Sequence, residues 1–380
     1  MNNSSYQQQI IDEARFFAEN EIKPRAREFD ENGILHRDLL VKLAGKKFLA
    51  ASFPEKFGGL RLDPVYYGRF TEEIGKACCS TRALITVHTS LVGETLLKWG
   101  NDEQKHKWLP LMSSGKKIGA FALSEPDVGT DAKGIKTQYR KSGDKYVING
   151  QKKWVSFGDI ADFFIVFASD FKRITAFLVE RKSKGVESKP IKGMLANRAA
   201  HIAEIELKDV FVPEENVIGR VGCGFPLVIG TALDHGRYSI AWAGVGIAQA
   251  ALEEMVNYAR TRCQFGRKIS NFQLIRGLIG NAVTKVHASR ALCLRAGEMR
   301  KIGDPDAIIE TTIAKYFSSK MALEVAADAV QVHGGSGCYS GFPVERFFRE
   351  AKLLEIVEGT SQIHQEILAN YALRKYYKGE

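Results

Sequence analysis

Positions 353–362 read LLEIVEGTSQ, an order that puts a carboxylate where it can act as a base. Glu358 follows the apolar residues Leu353, Leu354, Ile356 and Val357 and precedes Gly359, so a helix should end there and the chain should turn sharply. Loss of hydration at such a point raises a carboxyl pKa, which suits a base that takes a weakly acidic proton near neutral pH. A glutamate at a helix end is more often a solvated surface group, so the chemistry rests on its neighbours. Thr360 or Ser361 fits the N-cap of a final helix, whose amide end favours an anionic neighbour. A second group lies at Phe121 to Asp131 (FALSEPDVGTD). After a short strand, Pro126 and Gly129 expose backbone N–H groups in a turn, and Ser124 and Thr130 add hydroxyls; such a loop can bind an anionic or carbonyl oxygen, although these residues alone read as an ordinary loop. Trp154 offers a flat apolar wall, and Ser156, two residues on, should present its hydroxyl on the same side of a strand. Alone, Trp154 would be a core aromatic. Arg262 supplies a forked donor for phosphate, although position alone does not select it over Arg260.

The elements that must hold these groups follow from the hydrophobic rhythm. From Ile10 to about Ile118 apolar residues recur at helical spacing, as in Ile10, Ala14, Phe17 and Ala18, with a break at Pro54 and Gly58-Gly59 and an end near Pro110. Between Phe121 and Phe225 the rhythm changes to short runs of Val, Ile, Phe and Tyr bounded by turn residues: 145–148, 163–167, 174–179 and 202–207. Asn149-Gly150 reads as a type I′ hairpin turn before Trp154-Val155. From Leu227 the chain is helical again, over 250–262, 272–300, 306–333 and 362–371. The expected units are therefore a helical domain (1–118), a middle β-domain (119–226) and a C-terminal helical domain (227–380). That order excludes an alternating Rossmann chain, and Gly334 to Gly337 lacks the preceding strand and the lysine of a phosphate loop, so it reads as a turn between helices.

Composition bounds the rest. The 380 residues are 45% apolar and 26% charged, with a formal net charge of +10, the balance of a globular enzyme with room for two or three cooperating units. The basic residues come as dispersed pairs, among them Lys46-Lys47, Lys116-Lys117, Lys152-Lys153 and Lys172-Arg173. Solvated surface is the ordinary reading of such pairs, and the excess suits phosphorylated ligands or an acidic protein partner and not nucleic acid. The polar start, Met1 to Gln9, reads as neither a secretory nor a transit segment, which implies a cytoplasmic protein. The uncharged run from Tyr238 to Leu252 is shorter than the ~20 residues a bilayer span needs and reads as a buried helix, so no membrane association is expected. Six cysteines without C-x-x-C spacing point to free thiols and to no metal site.

These residues resemble the acyl-CoA dehydrogenase flavoprotein family over essentially the whole chain. The run Phe121 to Asp131 is similar to the family's first flavin segment, Lys153 to Ser156 (KWVS) to the second and Arg262 to Gly266 (RCQFG) to the third. Gln331 to Gly335 (QVHGG) and Val357 to Gln362 (VEGTSQ) complete the set in family order. The resemblance implies a mainly α chain with a β-barrel-like middle domain and a C-terminal four-helix bundle, FAD held between the domains, and a homodimer or homotetramer. It implies FAD contacts from Phe121, Leu123, Ser124, Gly129, Thr130, Trp154 and Ser156. Arg262, Phe265, Gln273, Gln331, Gly334 and Gly335 would reach the pyrophosphate and adenine half, that of a neighbouring subunit, and Thr360 and Gln362 follow. An isoalloxazine ring needs one face shielded, hydrogen bonds at its polar edge and the other face open to substrate, needs that Trp154 and Ser156 suit. Glu358 then takes the proton α to a thioester carbonyl while a hydride leaves for flavin N5, with Thr130, Arg237 and Gly359 near the acyl thioester. Some branches place the base at the position occupied here by Gly236, so that base is missing.

The substrate is carried by weaker matches. Arg82 to Leu91 (RALITVHTSL) resembles the glutaryl-CoA dehydrogenase branch, which implies that Arg82 meets a polar acyl terminus. Leu233 to Trp242 (LDHGRYSIAW) and Leu292 to Gly297 (LCLRAG) resemble family members of polyketide clusters that make hydroxymalonyl or methoxymalonyl units on an acyl carrier protein. The leading expectation is thus a dehydrogenase for a short, polar, carrier-tethered acyl group. The alternative is a catabolic short-chain acyl-CoA dehydrogenase serving an electron-transfer flavoprotein. A non-catalytic FAD-binding scaffold is the reading from another class, and Glu358 counts against it.

Overall fold

The computed structural model describes residues 3–378. The first helices are α1 (Asn3–Phe17), α2 (Ala26–Asn32), α3 (Arg37–Gly45), α4 (Pro64–Ala77), α5 (Cys79–Ile85), α6 (Glu94–Trp99) and α7 (Asp102–Ser113). Their apolar faces meet in a core that includes Ile11, Phe29, Leu39, Leu43 and Phe70. Pro110 lies inside α7 and does not end it as expected; the helix runs on to Ser113. Between α5 and α6 the chain stays helical but widens into a π-helical run, Thr86–Gly93, buried throughout. Widened turns of this kind recur at functional sites because they re-aim side chains within one helix.

The middle of the chain forms an eight-stranded sheet from β1 (Gly119–Ala122), β2 (Gln138–Ser142), β3 (Lys145–Val155), β4 (Phe163–Ser169), β5 (Ile174–Glu180), β6 (Val186–Pro190), β7 (Ala203–Pro213) and β8 (Val217–Ile218). The order is β6-β7-β3-β2-β4-β5-β8, with β1 parallel to β4. One expectation fails here. Asn149 and Gly150 do not turn a hairpin; β3 runs through them, with a register shift against β7 between Ile148 and Gly150. The reason is a close approach: Gly150 has φ 151°, and a Cβ there would lie 2.6 Å from the Thr137 Cα. Asn149 spends its amide on Asp209 across the ladder instead. The hairpin joining β2 and β3 turns at Gly143, where φ is 63°.

A two-stranded ribbon, β9 (Cys263–Gln264) and β10 (Arg267–Lys268), interrupts the final helices α8 (Gly230–Thr261), α9 (Gln273–Ile302), α10 (Ala307–His333), α11 (Val344–Leu354) and α12 (Ser361–Lys375). The uncharged run of α8 lies in the core against α10, where Gly244 allows a separation that a Cβ would close to 2.6 Å from the Ser318 carbonyl oxygen. Among the described residues no helix is long and apolar enough to cross a membrane. His88 ties the helical layer to the sheet: Gly119 N–H donates to its Nδ1 at 3.2 Å, and its Nε2 lies 3.2 Å from the Met112 carbonyl. Burial pushes this imidazole down to about 4, so it is neutral and structural.

Candidate active site

Glu358 stands where α11 has ended and before α12 begins, at φ 56° and next to Gly359 at φ 101°. Val357 N–H still reaches the Leu353 carbonyl and Ser361 N–H returns to the Glu355 carbonyl, closing the turn. Thr360 is the N-cap, its Oγ1 accepting from Ile363 N–H at 3.3 Å. The Glu358 residue is half-buried, but its Oε2 is sealed from solvent and has no hydrogen-bond partner. Burial pushes its carboxyl up to about 7, against the pull of Arg237, Lys315 and Arg82. A carboxylate held this way binds and releases a proton near neutrality, as a carbon acid requires of its base.

Gly236 of α8 faces this carboxylate: a Cβ there would fall 2.6 Å from Oε2 and 2.7 Å from Leu91 Cδ2. Only one of the two positions can therefore carry a bulky side chain. Beside Leu91 and Gly236 lies a buried cluster of hydroxyls and one guanidinium. Tyr67 Oη and Ser90 Oγ are 2.6 Å apart, Arg82 donates to Thr86 Oγ1 at 2.6 Å, and Thr86 Oγ1 is 2.7 Å from Ser239 Oγ. Arg82 is 1% exposed and its Nε has no partner; Gly75 leaves room for its stem. Arg237, three residues before Ile240, forms no ion pair with Glu358; its Nε donates to the Glu358 carbonyl at 3.1 Å.

The segments expected to hold a cofactor are placed as follows. Phe121 lies in β1 and packs on Phe167 at 4.9 Å between ring centroids; Leu123 and Ser124 follow the strand, half-buried. Gly129 and Thr130 are exposed in the next turn. Trp154 is 51% exposed at φ 62°, and Ser156 lies beyond the end of β3. The strand alternation expected to align them is broken by the register shift between Lys152 and Val155. Arg262 caps the end of α8, exposed, and Phe265 is 92% exposed at φ 52° in the β9-β10 ribbon. Gln273, Gln331, Gly334, Gly335 and Gln362 are exposed on α9, the end of α10, the turn after it and α12. The Gly334 to Gly337 stretch, read from the sequence as a turn between helices, lies in a short 3₁₀ turn, Gly334–Cys338, between α10 and α11.

Sequence reasoning missed a pin under the first segment. Lys152, read as half of a solvated basic pair, is fully buried and ion-paired to Glu125 at 2.7 Å, while Lys153 pairs with Glu204. Glu125 also accepts from the backbone N–H groups of Lys136 and Thr137. Burial would raise the Glu125 carboxyl, but Lys152 and these amides hold it below its ordinary value, and burial pushes Lys152 down to about 8. The period-2 pattern of β3 was the available signal, since Lys152 shares a face with Ile148. Lys315 and His364 were also missed; both are buried beside Gly359.

Comparison with known proteins agrees with this geometry. The models for the acyl-CoA dehydrogenase N-terminal, middle and C-terminal domains match residues 4–116, 120–210 and 222–373. A short-chain specific acyl-CoA dehydrogenase of Clostridium acetobutylicum is 35% identical over 98% of this chain and 99% of its own. A chain in the structure of an electron transferring flavoprotein study from Acidaminococcus fermentans superposes with a TM-score of 0.95 at 36% identity, covering 99% of this chain and all of that one. FkbI, described for biosynthesis of a methoxymalonyl extender unit, superposes with a TM-score of 0.88 at 32% identity over 95% and 99%. With its three matching domains in order, this chain belongs to the acyl-CoA dehydrogenase family, FAD-dependent oxidoreductases that act on acyl thioesters.

Proposed function

We propose that the protein is a short-chain acyl-CoA dehydrogenase in which Glu358 is the base and an electron-transfer flavoprotein receives the electrons. The observation that carries the reading is the sealed, unpartnered Glu358 Oε2, a carboxylate held dry beside a cluster that has no other use for it. The residues present fit FAD. Trp154 offers an exposed indole face, Arg262 an exposed guanidinium, and a Cβ at Gly129, Gly334 or Gly335 would meet nothing within 4 Å, so the backbone there is open to a ligand. When bound, the flavin supplies the acceptor for the β-hydrogen as hydride. Glu358 takes the α-proton, and its own backbone N–H, which has no partner among the described residues, is available to the thioester carbonyl oxygen. Arg237 holds the Glu358 carbonyl and so keeps that N–H aimed. The bared Phe265 and Leu274 fit contact with a second copy, through which Arg262, Phe265, Gln273 and Gln331 reach the neighbour's FAD.

A short acyl group is supported by the wall beyond Leu91. A long alkyl tail laid on Arg82, Thr86, Ser239, Tyr67 and Ser90 would strip those groups of partners without replacing them. The unpartnered Arg82 Nε also supports a second reading, a polar acyl terminus of the kind a carrier protein delivers. Matched kcat/KM values for butyryl-CoA and for a hydroxylated three-carbon thioester on an acyl carrier protein separate the two. The CoA reading expects butyryl-CoA to be the better substrate and Arg82→Ala to spare it. Preference for the carrier thioester, lost in Arg82→Ala, would reverse the order.

A further inference from the structure

Glu358 and Gly359 are consecutive residues at positive φ, 56° and 101°. A glutamate keeps that conformation only when its surroundings enforce it. Two cations from different helices do so, one on each carbonyl of the turn. Arg237 of α8 donates to the Glu358 oxygen at 3.1 Å, and Lys315 of α10 donates its Nζ to the Gly359 oxygen at 2.6 Å. Lys315 is fully buried and makes no ion pair within the described residues. An ammonium taken out of water for one neutral carbonyl is costly, which marks it as doing more than filling space. His364 of α12 also packs here: a Cβ at Gly359 would sit 3.2 Å from its Nε2.

We infer that Lys315 is a positioning residue for the base: its ammonium fixes the Gly359 carbonyl, which aims the Glu358 carboxylate, and its charge favours the ionised form of that carboxylate. The inference rests on the reading of Glu358 as the base. The groups facing Glu358 are Arg82 from α5, Arg237 from α8, Lys315 from α10 and His364 from α12, with Asp234 beyond Arg237 and Glu355 beyond Lys315. His364 is neutral, its imidazole pushed down to about 3 by burial and by Lys315 and Arg237. Burial also pushes Lys315 down to about 7, against the attraction of Glu358. The sign is fixed: a nearby positive charge lowers the Glu358 pKa, so removing it moves that pKa up and leaves less base at neutral pH.

Lys315→Met keeps the stem and removes the charge; Lys315→Arg keeps the charge. In the holoenzyme without substrate, the protonated carboxyl band that Glu358→Gln deletes from the infrared difference spectrum reports the Glu358 titration directly. The expected result is a midpoint about one pH unit higher in Lys315→Met, with the flavin-bleaching rate at neutral pH down about fivefold, KM unchanged and FAD retained. Lys315→Arg should restore the midpoint. Should the methionine variant not fold, Lys315→Gln carries the same measurement. A midpoint that stays put in the uncharged variant, or a loss confined to KM, overturns the inference. Unimpaired bleaching in Glu358→Gln would instead remove the base assignment, while the band still decides whether Lys315 governs that carboxyl.

Discussion

Gly236→Ala is the smallest change that tests whether the carboxylate must stand where it does. The added Cβ would lie 2.6 Å from Glu358 Oε2, 2.7 Å from its Cδ and 2.7 Å from Leu91 Cδ2, where ordinary contact begins at 3.4 Å. The carboxylate must therefore retreat by roughly 0.8 Å, and it cannot do so by relaxing the backbone, because Arg237 holds the Glu358 carbonyl at the left-handed turn. A displacement near 1 Å in a reacting group costs about 10²-fold in rate. Stability moves less. Overpacking costs about 1–3 kcal/mol, and replacing a mid-helix glycine returns about 0.5–1 kcal/mol of helix propensity. The assay is stopped-flow loss of the oxidised flavin colour with butyryl-CoA, read beside FAD content and melting temperature. A bleaching rate within about twofold of the parent, in a folded FAD-loaded variant, would show that the reaction does not depend on this placement.

Glu358→Gln should keep FAD while bleaching falls on the order of 10²-fold or more, and unchanged bleaching would move the base elsewhere. In the parent, bleaching should fall as pH drops through about 7, the value to which burial lifts the Glu358 carboxyl, because only the ionised form accepts a proton. A midpoint near an ordinary carboxyl would contradict the dry site. The same lift is a stability cost that is absent below the unfolded carboxyl pKa and complete above about 7. Glu358→Gln should thus gain on the order of 3 kcal/mol on the parent at pH 8 and little at pH 5, read by thermal unfolding at the two pH values. Lys152→Met leaves Glu125 charged and dry under the 123–130 loop, so it should cost about 3–5 kcal/mol and loosen FAD; a variant as stable as the parent would deny the pin its role.

What could be read from the chain and what could not divides along one physical line. Glu358 was legible because its surroundings are local: the apolar residues before it and Gly359 after it belong to one turn, and the structure places that turn between α11 and α12. The helical thirds were legible for the same reason, periodicity being a property of neighbours. Asn149-Gly150 misled because the glycine answers a demand made from elsewhere in the sheet, the approach of Thr137 just before β2, which no local pattern records. Trp154 and Ser156 were expected on one face by alternation, but alternation fails at the register shift against β7 between Lys152 and Val155. The buried cations were the hardest. Lys152 and Lys315 have the same letters as the solvated lysines around them, and what sets them apart is a carboxylate 27 positions away in one case and a carbonyl 44 positions away in the other. A lysine is dry only because a partner elsewhere makes burial tolerable, so its function is a property of the fold and not of the segment that carries it. Glu358 could be found from its own segment; the buried cations packed around it could be found only after the helices were packed.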